Sequence, residues 1–385
     1  MNQTLYHAAL RLLPKIRSAL RKTGTVLDGQ REARLFNILQ RHKALGAELR
    51  LFGPDDQASD YLYGNAGRGR ALQPDTAFRL ASISKLVTAA CVLKLVEQGK
   101  LSIDKDVNEY LPYRLRHPAA PDMPISLRML MNHTAGLRDG QAYHEGLGQA
   151  APADRVLAGD SYLDSLPGEC WSYSNLGAGL VACVMEAALA RSFEDIMKQH
   201  LFEPLGMEAS FYPQRIRGEL ADARRVMPPQ RQANFDALAR KRRPLGDADV
   251  PNPVQHYHLA QGSCCMSANS LQRLMIALMR PGYLSRDSLA DMHRAQVGFG
   301  VRSAHLRQGL GVFALDDSGI SPLTLYGHQG KAYGAVHAAF YEPVSARGLI
   351  FLSTGVSEAR REFLCDVVED VLKLCFEGED AWPRT

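Results

Sequence analysis

Three short stretches of this 385-residue chain carry side chains suited to acyl transfer. The first is Ser82-Ile83-Ser84-Lys85. A serine and a lysine three apart share one face if the segment is helical. A serine hydroxyl is a weak nucleophile until a base takes its proton, and an amine of lowered pKa within reach can do so. At a helix N-terminus, unpaired N–H groups and the macrodipole also favour developing negative charge. The second stretch, Gly168-Glu169-Cys170-Trp171-Ser172-Tyr173-Ser174-Asn175, offers a phenol and an amide as Tyr-x-Asn. The third, Tyr326-Gly327-His328-Gln329-Gly330-Lys331, is a glycine-flanked polar triplet before an apparent strand, Gly334 to Glu342.

The elements that must position these groups are legible. Leu86, Ala89/Ala90, Leu93 and Val96 recur at helical spacing after Ser82, and Gly99 stops the run, which predicts a helix over 82–98. A second Ser-x-x-Lys, Ser102-Ile103-Asp104-Lys105, follows Gly99 and precedes Pro112, so it reads as a capped, exposed turn.

In this order and at these separations the motifs resemble those of the penicillin-recognising serine hydrolases: class C β-lactamases, family VIII carboxylesterases and D-Ala-D-Ala peptidases. The likeness extends to Leu130-Met131-Asn132-His133-Thr134-Ala135-Gly136-Leu137 and covers roughly residues 40 to 375. It implies an α+β fold: one antiparallel sheet flanked by helices, a mainly helical domain, and an active site in the cleft between. It also implies roles. Ser82 is the nucleophile, Lys85 and Tyr173 share the acid–base work, and Asn175 orients the lysine and a substrate carbonyl. The backbone N–H groups of Ser82 and Lys331 form the oxyanion hole, with Gly330 allowing close approach of the strand. No metal and no cofactor are implied.

One departure matters. The third motif of β-lactamases begins with lysine, whose charge meets a substrate carboxylate, whereas this chain has His328, about neutral at pH 7 when unperturbed. Lys331 is an alternative source of charge, but strand alternation leaves its direction open. Gln141, Tyr143 and Tyr333 are expected in the cleft wall. His133 reads as part of a structural turn, and His256-Tyr257-His258 lacks a third ligand at useful spacing for metal.

Composition is that of a globular protein, with 46% hydrophobic and 22% charged residues and a formal charge of only +4. That balance gives no reason to expect nucleic acid. Arginine dominates the basic residues, 34 against 11 lysines, and the Arg240-Lys241-Arg242-Arg243 cluster beside Pro244 reads as a solvated loop. Seven cysteines without Cys-x-x-Cys spacing predict reduced thiols in a reducing, cytoplasmic compartment. No stretch reaches the 18 apolar residues of a membrane span. Residues 5 to 21 read as a basic amphipathic helix docked on the domain; a transit segment or a membrane-surface helix shares that pattern.

Further along, the pattern predicts a helix over 32–45 and strands over 46–51 and 61–64 around Gly53-Pro54-Asp55-Asp56. Strands follow at 309–315, 323–327, 335–341 and 349–353, then a helix from Arg360 to Phe376. Hence the expected division: an N-terminal amphipathic helical extension (1–31), an α/β domain from 32–102 and 291–385, and a mainly helical domain, 103–290. The function expected first is an esterase or transacylase on a small acyl substrate through an acyl-enzyme on Ser82. Two alternatives stand beside it: a D-amino-acid peptidase, amidase or β-lactamase, and a non-hydrolytic acylation sensor or scaffold. The partner expected is a small ester, amide or lactam; oligomeric state is not legible.

Overall fold

Alternation and turn signals place strands at both ends of the chain, and these strands meet in space. The computed structural model describes residues 3–13, 18–24, 27–67, 69–149, 151–226, 248–298, 305–317 and 319–377. The Arg240–Arg243 cluster lies outside them. The strands are β1 (Leu20–Thr23), β2 (Gly46–Phe52), β3 (Ala58–Gly64), β4 (Ala77–Arg79), β5 (Ala209–Ser210), β6 (Cys265–Ser267), β7 (Val297–Gly298), β8 (Leu306–Gln308), β9 (Phe313–Leu315), β10 (Leu325–Ala332), β11 (Ala335–Glu342) and β12 (Arg347–Thr354). The α-helices are α1 (Gln3–Leu12), α2 (Gly29–Arg41), α3 (Ile83–Glu97), α4 (Leu127–Met131), α5 (Gln141–Gln149), α6 (Ala153–Leu157), α7 (Asn175–Leu189), α8 (Phe193–Met197), α9 (Ala268–Met279), α10 (Arg286–His293) and α11 (Asp366–Phe376).

Nine of these strands form one sheet in the order β1-β3-β2-β12-β11-β10-β9-β8-β7. Its pairings are antiparallel, and the seam between the chain's two ends is β2 on β12, with Gly46 opposite Thr354 and Phe52 opposite Gly348. One face of the sheet packs on α2 and α11 through Leu35, Leu39, Val368 and Leu372. The other core joins α3, α7 and α9 to Ile350 and Leu352 of β12. The fold is therefore the α+β arrangement expected: an antiparallel sheet flanked by helices, beside a mainly helical region. Helix α3 is buried on nearly every side, from Ile83 to Leu95. Each large aliphatic it removes from water contributes about 1.5–3 kcal/mol, so Ser82 stands at the start of a rigid support.

Tertiary context moved several expected boundaries. The helix over 32–45 is observed at Gly29–Arg41, the strand over 61–64 at Ala58–Gly64, and the strand over 323–327 at Leu325–Ala332, which takes the third motif into β10. Helix α1 ends at Leu12, and Leu20–Thr23, expected within a helix running to residue 21, is the edge strand opposite Tyr63–Asp60. Backbone pairing with an otherwise open sheet edge outweighs helical periodicity there. Strand 309–315 is cut to Phe313–Leu315 because Gly311 (φ +64°) turns the chain against α3, where a Cβ would lie 2.5 Å from that of Ala89. The last helix starts at Asp366 and not at Arg360. The Gln329 amide holds the preceding segment instead, donating to Phe363 O (2.8 Å) and accepting from Cys365 N (3.0 Å).

The N-terminal helix straps this same segment. Tyr6 and Leu10 pack on Ala359, Tyr6 Oη accepts from Glu358 N (3.1 Å), and Gln3 Oε1 accepts from Arg360 N (3.2 Å). Among the described residues no single helix is long and apolar enough to cross a membrane, and the seven cysteines form no disulfide.

Candidate active site

The turn before α3 is built to expose a serine. Strand β4 pairs with β6, and Leu80 N donates to Cys264 O at 2.8 Å. Ala81 then adopts φ +50°, a left-handed conformation that costs a non-glycine residue on the order of 1–2 kcal/mol. Ser82 follows at φ −66°, ψ −9°, with no side-chain capping bond. Its hydroxyl is therefore not used as a helix cap, and its N–H has no acceptor among the described residues.

Lys85, one turn on, is buried, with 5% of its surface exposed. Its Nζ donates to Gln261 O (2.6 Å), to Asn175 Oδ1 (2.8 Å) and to Ser82 Oγ (3.3 Å). Desolvation pulls its pKa down to about 7, against an upward pull from the Asp139 carboxylate. Half-neutral near pH 7, this amine can keep two hydrogen bonds and turn a lone pair to Ser82.

Tyr173 and Asn175 flank the amine. Lys85 Nζ lies 5.0 Å from the Tyr173 ring centre. Burial pushes the Tyr173 phenol well above its ordinary range, partly offset by its hydrogen bond with Ser82. It is a neutral proton donor at pH 7. The His133 turn holds the segment: its carbonyl accepts from Ser172 N (2.9 Å) and its Nδ1 from Ser174 N (3.3 Å). The His133 ring lies 4.4 Å from that of Tyr173, and burial beside Lys85 and His328 holds it neutral.

Asp139 was not singled out from the sequence. Its Oδ2 accepts from Asn175 Nδ2 (2.7 Å), and its Oδ1 from Leu176 N (2.9 Å) and Ser174 Oγ (3.2 Å). The only sequence signal was its place two residues after the Gly136-Leu137 turn, which does not distinguish it from a surface acid.

Strand β10 closes the site from the other side. At Gly330 a Cβ would fall 2.1 Å from Leu80 O, so only glycine lets the strand abut the Ser82 turn. Alternation puts His328 and Gly330 on one face and Gln329 and Lys331 on the other. The Lys331 charge acts on the Cys365 thiol, on the side where Gln329 grips its segment. His328 is 1% exposed, stacks on Phe313 at 4.1 Å, and is pulled down to about pKa 3 by burial and by Lys85. Its Nδ1 lies 2.6 Å from Gln329 O. A carbonyl can only accept, so Nδ1 carries the hydrogen and Nε2 keeps a lone pair.

The remaining candidates make other contacts, with Tyr143 still within the electrostatic reach of Asp139 and Tyr173. Gln141 is exposed at the start of α5, and its amide donates to Glu145 (2.6 Å) rather than into the cluster. Tyr143 is buried against Tyr257. Tyr333, at φ +53° in the β10–β11 turn, lies under the Arg79 and Arg225 guanidinium groups at 5.3 and 5.8 Å. Ser102 N donates to Tyr110 Oη, while Lys105 pairs with Glu109, so the second Ser-x-x-Lys forms no serine–lysine contact. His256 Nδ1 faces the buried Glu186 carboxylate at 2.7 Å. Among the described residues no group of three or more metal-ligating side chains converges.

Known proteins resemble this chain in sequence or in fold. Penicillin-binding protein 4* of Bacillus subtilis (strain 168) is 30% identical over 201 residues, 49% of this chain and 43% of that protein. Esterase EstB of Burkholderia gladioli is 31% identical over 156 residues, 36% and 39% of the two chains. The chain thus spans less than half the length of the curated relatives it matches. The solved structure of EstCE1, a hydrolase with promiscuous acyltransferase activity, superposes with a TM-score of 0.69 at 21% identity, covering 89% of this chain and 97% of that one. The Beta-lactamase family model matches residues 32–371, a span that contains all three motifs, and the chain belongs to that family.

Proposed function

We propose that this protein is a serine hydrolase that forms an acyl-enzyme on Ser82, acting as an esterase or acyltransferase on small acyl substrates. The observation that carries the reading is the Lys85 amine, poised near neutrality 3.3 Å from a serine hydroxyl that caps nothing. Neutral Lys85 takes the Ser82 proton as Oγ bonds to the substrate carbonyl carbon. The N–H groups of Ser82 and Lys331 receive the oxyanion, a contribution of about 3–4 kcal/mol in comparable sites. As the carbon–leaving group bond breaks, the Tyr173 phenol gives that group its proton and is reprotonated by the Lys85 ammonium. Water or another acceptor then releases the acyl group by the reverse sequence.

The ester preference is supported by His328. Where a fixed cation would meet a carboxylate, this site has a buried imidazole held neutral, which forfeits most of the Coulomb attraction. The likeness to an esterase and to a hydrolase with acyltransferase activity points the same way.

Intact-mass measurement with an activated ester tests the proposal. Rapid turnover with a transient acyl adduct is expected. Ser82→Ala should abolish the adduct and Ser102→Ala should keep it. A permanently trapped adduct would mark a sensor, and none at all a scaffold. The kcat/KM ratios across acyl esters, D-aminoacyl amides and a cephalosporin then rank the substrates.

A further inference from the structure

Asn175 presents its amide to Lys85 in one of two orientations, and the choice decides whether the lysine meets a carbonyl or an N–H. The carboxylate of Asp139 accepts only, and it lies 2.7 Å from Asn175 Nδ2. That contact leaves Asn175 Oδ1 facing Lys85 Nζ at 2.8 Å. Asp139 is itself pinned, because its Oδ1 receives Leu176 N at 2.9 Å and Ser174 Oγ at 3.2 Å. The acid thus ties the start of α7 to the lysine through a single amide.

We propose that Asp139 is the positioning residue of this site: it fixes which end of Asn175 meets Lys85 and supplies the negative charge that the protonated amine faces. The inference rests on the acyl-transfer reading above. Other titratable groups around the amine are Tyr173, His133 and His328, and none of them supplies a negative charge near pH 7. Asp139 is accordingly the acid whose field raises the affinity of Lys85 for its proton, against the desolvation that lowers it. Without it, the ammonium loses its counter-charge and Asn175 is free to turn an N–H toward the amine. Both changes favour the neutral amine.

The test is the pH dependence of Ser82 acylation by an activated ester in wild type, Asp139→Asn and Asp139→Ser, the last keeping an oxygen for the start of α7. The acidic limb is expected to move to lower pH by about one unit in both variants, with a fall in the plateau rate from the mispositioned amine. A limb that stays in place while the melting temperature drops would reduce Asp139 to a helix cap and overturn the proposal. NMR titration of the Lys85 side-chain nitrogen in the same proteins reads the shift without any turnover. If wild type forms no Ser82 adduct yet the Lys85 titration moves with Asp139→Asn, the hydrolase reading fails and the positioning role stands. An unmoved titration sinks the positioning role whatever the activity.

Discussion

Gln329 and Phe363 are 34 residues apart in sequence and joined by one amide: Gln329 Nε2 donates to the Phe363 carbonyl at 2.8 Å. The same side chain receives Cys365 N at 3.0 Å. This two-point grip holds the segment before α11 against the strand of the third motif, and it places the Phe363 ring 5.7 Å from that of Tyr173. The aromatic wall beside the phenol is therefore anchored from β10.

Gln329→Leu removes both hydrogen bonds, one to the Phe363 carbonyl and one from the Cys365 N–H. A stability loss of about 1–3 kcal/mol is expected, measured by denaturant unfolding, with faster hydrogen exchange at the Cys365 amide. An unchanged midpoint would mean the amide does not hold this segment.

The pKa of Lys85 sets the pH profile. With a value of about 7, the neutral amine rises from roughly one-tenth to nine-tenths of the population between pH 6 and pH 8. The acylation kcat/KM should climb about tenfold over that interval. His328 titrates near 3 and His133 well below its ordinary range, so neither histidine produces this limb. A flat profile from pH 6 to 8 would remove Lys85 as the base.

Gly330→Ala tests the contact between β10 and the Ser82 turn. The new methyl would sit 2.1 Å from the Leu80 carbonyl oxygen and push the strand, with the Lys331 N–H, away from Ser82. A fall of about 100-fold in kcat is expected, with about 1–3 kcal/mol of lost stability. Retention of full kcat would show that Lys331 N–H is not an oxyanion donor.

His328→Lys exchanges a neutral ring for a cation. The kcat/KM for carboxylate-bearing esters should rise relative to matched neutral esters, by about tenfold. The expectation follows from the tautomer, since Nδ1–H is spent on Gln329 O and Nε2 can only accept. An unchanged ratio would take residue 328 out of substrate selection.

Local pattern was enough for much of this protein. The apolar run after Ser82 and the stop at Gly99 specified α3 to within a residue of its observed limits, because a run that long exceeds a strand and glycine ends a helix. Alternation and turn residues located β2, β3, β11 and β12 for the same local reason. Ser82, Lys85, Tyr173, Asn175 and His328 were visible as candidates because side-chain chemistry and order along the chain need no coordinates.

What the tertiary structure decided was every relationship that depends on distant chain meeting. The edge strand at Leu20–Thr23 exists because β3 offers open backbone groups. The late start of α11 reflects a side chain from β10 competing for its first backbone groups. Asp139 is one acid among 41 acidic residues until folding sets its carboxylate against Asn175. The tautomer of His328 likewise follows from the Gln329 carbonyl beside it, which no local spacing encodes. Burial and hydrogen-bond geometry are properties of the packed chain, so the lowered pKa of Lys85 belongs to the fold.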